Sequence, residues 1–235
     1  MIIIAHRGIS GRAPENTAAA FERMIDLNVD WLETDIDITR DGRLILIHDD
    51  VVDRTTDGEG EVNNFNFEEI TALDAGSWFD KKFAAERILT LDALIRFINA
   101  NHLNVNFELK TKAQDNLRER YLKEVVAAIA TLSDDVKVIV SSFDHDLLWD
   151  FHKLVPDVQL GMLIEGEAPK DWVETAKAHD VAYVHPDAKF VTPELIADAH
   201  ANNIGVNVWT VNRVEVMNRM YENGVDAIFS DFVNV

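Results

Sequence analysis

Short apolar runs alternate along this chain with stretches in which apolar residues recur every three or four positions. The runs fall at Ile2–His6, Asp30–Asp35, Asn104–Lys110, Lys137–Ser142, Gln159–Ile164, Ala182–His185, Gly205–Thr210 and Ala227–Ser230. Each has the length of a buried strand. Between them, segments such as NTAAAFERMIDLN, TLDALIRFINANH and NLRERYLKEVVAAIATL carry helical periodicity. Thr192 followed by Pro193 predicts a helix start, with a capping hydroxyl and then a proline whose missing N–H costs nothing. Thr90 predicts another. Eight strands alternating with helices predict an α/β fold of parallel βαβ units, and eight such units predict a closed (β/α)8 barrel. A doubly wound open sheet is the alternative. The last strand lies so near the end of the sequence that its helix is expected to be short or missing.

Two features interrupt the alternation. In DIDITRDGRLILIHDD, Asp41-Gly42 predicts a two-residue hairpin turn between alternating runs. That turn would pair Arg40 with Arg43 and set Asp35 opposite His48. The second is a turn-rich stretch of about 51–88, with one short helix expected after Asn66. It reads as an inserted subdomain between the second strand and the second barrel helix, attached to a single domain spanning 1–235. Its aromatic residues Phe65, Phe67, Trp78, Phe79 and Phe83 predict order. Trp78 is expected to pack within it.

The stretch NFELK, residues 106–110, carries an amide, an acid and a base on one face of a strand, because side chains alternate with a period of two. A barrel gathers such residues at the C-terminal ends of its strands. There the first strand delivers His6 and Arg7, the second Glu33 and Asp35, and the third Glu108 and Lys110. The hairpin returns His48, the fourth strand brings Ser141, Ser142 and Phe143, and the seventh brings Trp209. His185, ending the sixth, is expected to be a structural histidine rather than part of this group.

Three converging carboxylates, Glu33, Asp35 and Glu108, repel one another unless a cation stands between them. An all-oxygen ligand set favours a hard divalent cation, Mg²⁺ or Ca²⁺. Arg7 and Lys110 suit an anion, one as a planar fork and the other as a point charge. His6 and His48 suit proton transfer near neutral pH. Together these predict hydrolysis or transesterification of a phosphate ester. Glu108 and Lys110 could alternatively be a plain buried ion pair, and Asn16 the N-cap of the first helix.

Charge narrows the partners. The formal net charge of −20 opposes nucleic acid and anionic membranes, whose binding needs clustered Lys and Arg. It leaves a small anionic substrate open where cations are local. The absence of cysteine removes disulfides, thiolate metal sites and cysteine nucleophiles. No export signal or membrane-length apolar stretch is visible, so the expected location is cytoplasmic.

The motifs HRG, PENT, ETDID, HDD, NFELK and VWTVN, in this order, resemble the glycerophosphodiester phosphodiesterase family, most closely its short cytoplasmic bacterial members. The resemblance runs from Ile3 to about Asp231, and DRTTDGEGEVNNFNFEEITALDAGSWFDKKFAAERILTLDAL looks like that family's insertion. It implies a (β/α)8 barrel that cleaves glycerophosphodiesters to glycerol 3-phosphate and an alcohol. It implies His6 and His48 as the acid/base pair, and Glu33, Asp35 and Glu108 as ligands to one divalent cation. Arg7 and Lys110 would hold phosphate, Trp209 would line the glycerol or alcohol side, and Glu15 and Asn16 would support this set. The chain departs from the family pattern at Leu89, often proline, and at Ser230-Asp231-Phe232-Val233, where the family often reads TD-x-P. Neither departure is expected to touch the catalytic set. Two other readings share the residues: a cyclising phospholipase-type enzyme on the same barrel, and a catalytically silent module that binds phosphoglycerol. Oligomeric state has no signature in the sequence.

Overall fold

The computed structural model describes residues 1–110 and 115–233. The strands are β1 (Ile2–His6), β2 (Trp31–Ile38), β3 (Leu44–Leu46), β4 (Asn104–Leu109), β5 (Val138–Ser142), β6 (Gln159–Ile164), β7 (Tyr183–Pro186), β8 (Gly205–Val208) and β9 (Ala227–Ser230). Eight of them close a parallel barrel in the order β1-β9-β8-β7-β6-β5-β4-β2, sealed by pairing of β1 with β2. The expected TIM barrel is therefore the fold. The helices α1 (Ala18–Asp26), α3 (Leu91–Asn101), α4 (Asp115–Ile129), α5 (His145–Leu154), α6 (Trp172–Ala178), α7 (Pro193–Ala201) and α8 (Val214–Glu222) link successive barrel strands. Among the described residues no helix follows β9.

The helix starts have the chemistry that the sequence predicts. The Thr90 and Thr192 hydroxyls accept from the Ala93 and Leu195 N–H groups, each satisfying a donor that has no partner within its helix. Each helix then turns an apolar face to the sheet, as α1 does with Ala20, Phe21 and Met24 and α3 with Leu91, Leu94, Ile95 and Ile98. Burying a side chain the size of Leu, Ile, Met or Phe contributes about 1.5–3 kcal/mol. The main core is thus the layer between helices and strands. A smaller cluster of Ile4, Ala227 and Phe229, with Trp31 and Trp209 against it, is formed by residues on the barrel's inner face.

The hairpin corrects one expectation. Ile36 pairs with Leu46, Asp37 with Ile45 and Ile38 with Leu44. Asp35 therefore faces Ile47, whose N–H donates to the Asp35 carbonyl at 3.2 Å, and not His48. The loop has three residues, Arg40-Asp41-Gly42, closed by Thr39 and Arg43. Gly42 takes φ +82°, the left-handed turn that a three-residue loop needs. The Thr39 hydroxyl selects this closure by accepting from the Arg43 N–H at 2.9 Å. With β3 as a new neighbour, β2 runs three residues beyond the predicted Asp35.

Between β3 and α3 lie a short helix α2 (Phe67–Ile70) and a separate apolar cluster that includes Val52, Val62, Ile70, Ala75 and Ile88. Trp78 packs locally, with its ring edge-on to Phe79 and its indole N–H donated to the Ala75 carbonyl.

Candidate active site

β1 ends in the sequence His6-Arg7-Gly8, and the chain turns there against α1. Gly8 has φ +79°, and a Cβ on it would lie 2.8 Å from Ala20, so the turn requires glycine. Arg7 itself takes φ +57°, a conformation sparsely used by side-chain-bearing residues and found at functional sites. Its N–H donates to Glu33 Oε2 at 3.0 Å, and its Nη1 to Glu15 Oε1 at 2.8 Å. Its Nε lies 3.4 Å from Asp35 Oδ2 and is buried without a hydrogen bond.

Glu33 and Asp35 project from the same face of β2. Glu108 pairs with Asp35 in the neighbouring strand β4. Glu33, Asp35 and Glu108 are 3%, 0% and 9% exposed, and each offers an oxygen within 4.8 Å of the others. Lys110 Nζ donates to Glu108 Oε1 at 2.9 Å and lies 3.6 Å from Asp35 Oδ1.

Burial raises all three carboxylates, and neighbouring charges then divide them. Burial, Asp35 and Glu108 together push Glu33 well above the usual carboxylate range. Burial and Asp35 also raise Glu108. At Asp35 the penalty of burial is outweighed by Arg7 and Lys110, which hold it far below that range. Burial opposes the charged forms of Arg7 and Lys110 too, but the surrounding carboxylates win and raise both. Asp35 Oδ1 is buried with no hydrogen bond. A buried acceptor without a donor, inside an all-oxygen triad, fits a hard divalent cation.

Each of the two histidines is backed by an aspartate. His6 Nδ1 donates to Asp231 Oδ1 at 2.7 Å. Asp231 is in turn fixed by the Ser10 hydroxyl at 2.9 Å and the Asn212 amide at 2.5 Å. His48 Nδ1 donates to Asp49 Oδ1 at 2.5 Å. Both arrangements set the tautomer and leave Nε2 for chemistry. Burial works against the Asp49 charge, but hydrogen bonds from Arg54 and His48 hold its carboxyl at about 2.

A cavity of about 270 Å³ joins these pieces. His6, Arg7, Glu33, His48 and Glu108 line one part, and Phe143, Leu163, Trp209 and Phe229 make an apolar wall. Phe143 meets Trp209 edge-to-face at 5.4 Å. The deeper lining includes Asn106, Ser141 and His185. The His185 imidazole is fully buried, which pushes it down to about 3. Asp35 and Lys110 do not line the cavity; Lys110 contacts the lining residue Glu108, and Asp35 pairs with it across β2 and β4. A buried carboxylate triad, an arginine at the cavity wall and two oriented histidines can together support phosphate-ester chemistry.

A family model described as the glycerophosphoryl diester phosphodiesterase family matches residues 6–235. The chain belongs to that family. A glycerophosphodiester phosphodiesterase of Caldanaerobacter subterraneus is 40% identical over 232 residues, 98% of this chain and 93% of the relative. One of Bacillus altitudinis is 34% identical over 238 residues, 98% and 94% of the two chains. Among solved structures, a phosphodiesterase of Oleispira antarctica in complex with the product sn-glycerol-3-phosphate has a TM-score of 0.93 and 32% identity. The match covers 98% of this chain and 93% of that one.

Of the residues singled out in this phosphodiesterase-family sequence, His6, Arg7, Glu33, His48, Glu108 and Trp209 meet at one cavity. Asn16 does not cap α1, whose cap is Thr17. Instead its amide donates to Asp35 Oδ2 at 2.9 Å and its carbonyl accepts from the Thr34 hydroxyl. Sequence reasoning missed Asp49, Arg54 and Asp231. The adjacency in HDD is a signal for Asp49, but nothing local marks Asp231, 225 residues from its histidine. The terminal segment expected to stand clear of the catalytic set touches it through Asp231, a residue the family pattern keeps.

Proposed function

We propose that this chain hydrolyses glycerophosphodiesters to sn-glycerol 3-phosphate and an alcohol, using one divalent cation, Mg²⁺ or Ca²⁺, held by Glu33, Asp35 and Glu108. The observation that carries the reading is the meeting, at one cavity, of a buried carboxylate triad, Arg7 and two aspartate-backed histidines. Family membership and a close structural neighbour holding the product support the substrate class. Arg7 and Lys110 are two cations against three buried carboxylates, and Arg7 is also paired with Glu15, which argues against a simple buried ion pair between Lys110 and Glu108.

The roles follow from chemistry and position. When bound, the cation would neutralise nonbridging phosphate oxygens and stabilise charge at phosphorus. Arg7, at the cavity wall, brings positive charge to the phosphate while Glu15 holds its Nη1, and Lys110 adds positive charge from beside Glu108. One histidine takes the proton from the attacking oxygen. The other protonates the departing alcohol, each Nε2 acting while its Nδ1 is fixed by Asp231 or Asp49. Trp209 and Phe143 exclude water along the apolar side, where the glycerol or alcohol carbons lie. Glu15 and Asn16 fix Arg7 and Asp35.

The test is release of sn-glycerol 3-phosphate from glycerophosphocholine and a panel of related diesters, after chelation and then with Mg²⁺ or Ca²⁺ restored. Release that stops on chelation and returns with either ion is the expected result. Metal binding without turnover across the panel would instead favour a phosphoglycerol-binding module. A stable cyclic phosphate seen by phosphorus NMR would favour the cyclising reaction.

A further inference from the structure

The two histidine–aspartate pairs are anchored differently. Asp231 is held by neutral groups, Ser10 and Asn212. Asp49 is held by an ion, Arg54, from the segment inserted between β3 and α3. Arg54 Nε donates to Asp49 Oδ2 at 2.5 Å and its Nη2 to Asp49 Oδ1 at 3.0 Å. The other edge of the same guanidinium donates to Glu15, from Nη1 to Oε2 and from Nη2 to Oε1, both at 2.7 Å. Those two carboxylates are the partners of His48 and Arg7 respectively.

We propose that Arg54 is a positioning residue for the reaction: one guanidinium clamps Asp49 and Glu15 and so fixes His48 and Arg7 together. The inserted segment thereby completes half of the acid/base machinery and one arm of the phosphate site. A planar fork with donors on two edges can grip two carboxylates at once, whereas a lysine ammonium is a point charge that grips them poorly together. Arg54 is also half-exposed, with 44% of its side chain accessible, so its truncation opens no core cavity. The inference rests on the proposed hydrolysis, because it assigns the geometry of the same site.

The experiment measures kcat and KM on a glycerophosphodiester for the full chain, for Arg54→Met, Arg54→Lys and Arg54→Ala, and for Arg54→Met combined with Asp49→Asn. Thermal midpoints are recorded alongside. Misplacement of a reacting group by about 1 Å costs on the order of 100-fold, so Arg54→Met is expected to lower kcat by about 10- to 100-fold. Lysine is expected to restore less than half of that loss on a logarithmic scale, and added ethylguanidine is expected to raise the rate of Arg54→Ala. In the Asp49→Asn background the further loss is expected to be small, because residues in one network are not additive. A kcat within about twofold of the native chain, an undiminished loss in the Asp49→Asn background, or failure of ethylguanidine to rescue would each overturn the inference. No release by the native chain on any diester would sink the proposed function and this inference with it. A native chain that works, beside an equally active Arg54→Met, sinks the inference alone.

Discussion

At the residue scale, the proposed proton transfer would rest on two imidazoles whose Nδ1 atoms are already occupied by carboxylates. Replacing His6 or His48 with alanine is expected to lower kcat by about 10²- to 10⁴-fold while metal affinity, read by calorimetry, stays near the native value. Activity intact in both variants would remove the acid/base assignment. His185 makes a different statement. Burial holds its imidazole neutral down to about pH 3, against 6.5 when free. The unfolded chain therefore binds the extra proton first as the solution is acidified. The resulting stability is fully present above pH 6.5 and is lost as pH falls toward 3, by about 1.4 kcal/mol per pH unit. His185→Gln is expected to flatten urea-unfolding stability between pH 7 and pH 5. An unchanged slope would place the titration elsewhere.

At the scale of elements, each strand end is shaped by a neighbour as much as by its own residues. β6 shows this at Gly161, inside a strand where glycine is ordinarily unfavourable. A Cβ there would lie 2.3 Å from His185 Cε1 on β7. The missing side chain is the space into which the imidazole packs. Gly161→Ala is expected to destabilise by about 1–3 kcal/mol in urea unfolding. Adding His185→Ala should return part of that loss, since the methyl then has room. Additive costs would show that the ring is not what the glycine accommodates. The hairpin follows the same logic. The Thr39 hydroxyl and Gly42 close a three-residue loop, and the register of every β3 residue depends on that choice.

At the scale of the whole molecule, a net charge of −20 surrounds a site containing Arg7 and Lys110. The far field repels anions, while the buried cations attract them at short range. Salt screens the first more than the second. Raising ionic strength from about 10 mM to about 150 mM is expected to lower KM for an anionic diester such as glycerophosphoglycerol. Zwitterionic glycerophosphocholine should respond less. A KM that rises with salt would mean that the local cations govern capture. Among the described residues no helix is long and apolar enough to cross a membrane.

The sequence by itself determined the barrel, because helix and strand periods differ and eight alternations leave few closed solutions. It also determined most of the residues at the cavity, because a parallel barrel carries strand-end residues to one mouth. His6, Glu33 and Glu108 were legible for that reason. The tertiary structure alone decided how they are held. Asp231 reaches His6 only because β9 closes against β1. Asp49 is five residues from Arg54, but Glu15 is 39 residues away and meets it only through the tertiary fold. Asn16 turns from capping α1 to binding Asp35 because its backbone takes φ +57°. The hairpin register was decided by a hydroxyl and a glycine turn that alternation cannot see. Periodicity reports which face a side chain takes, whereas the partner it finds there depends on residues the chain brings from far away.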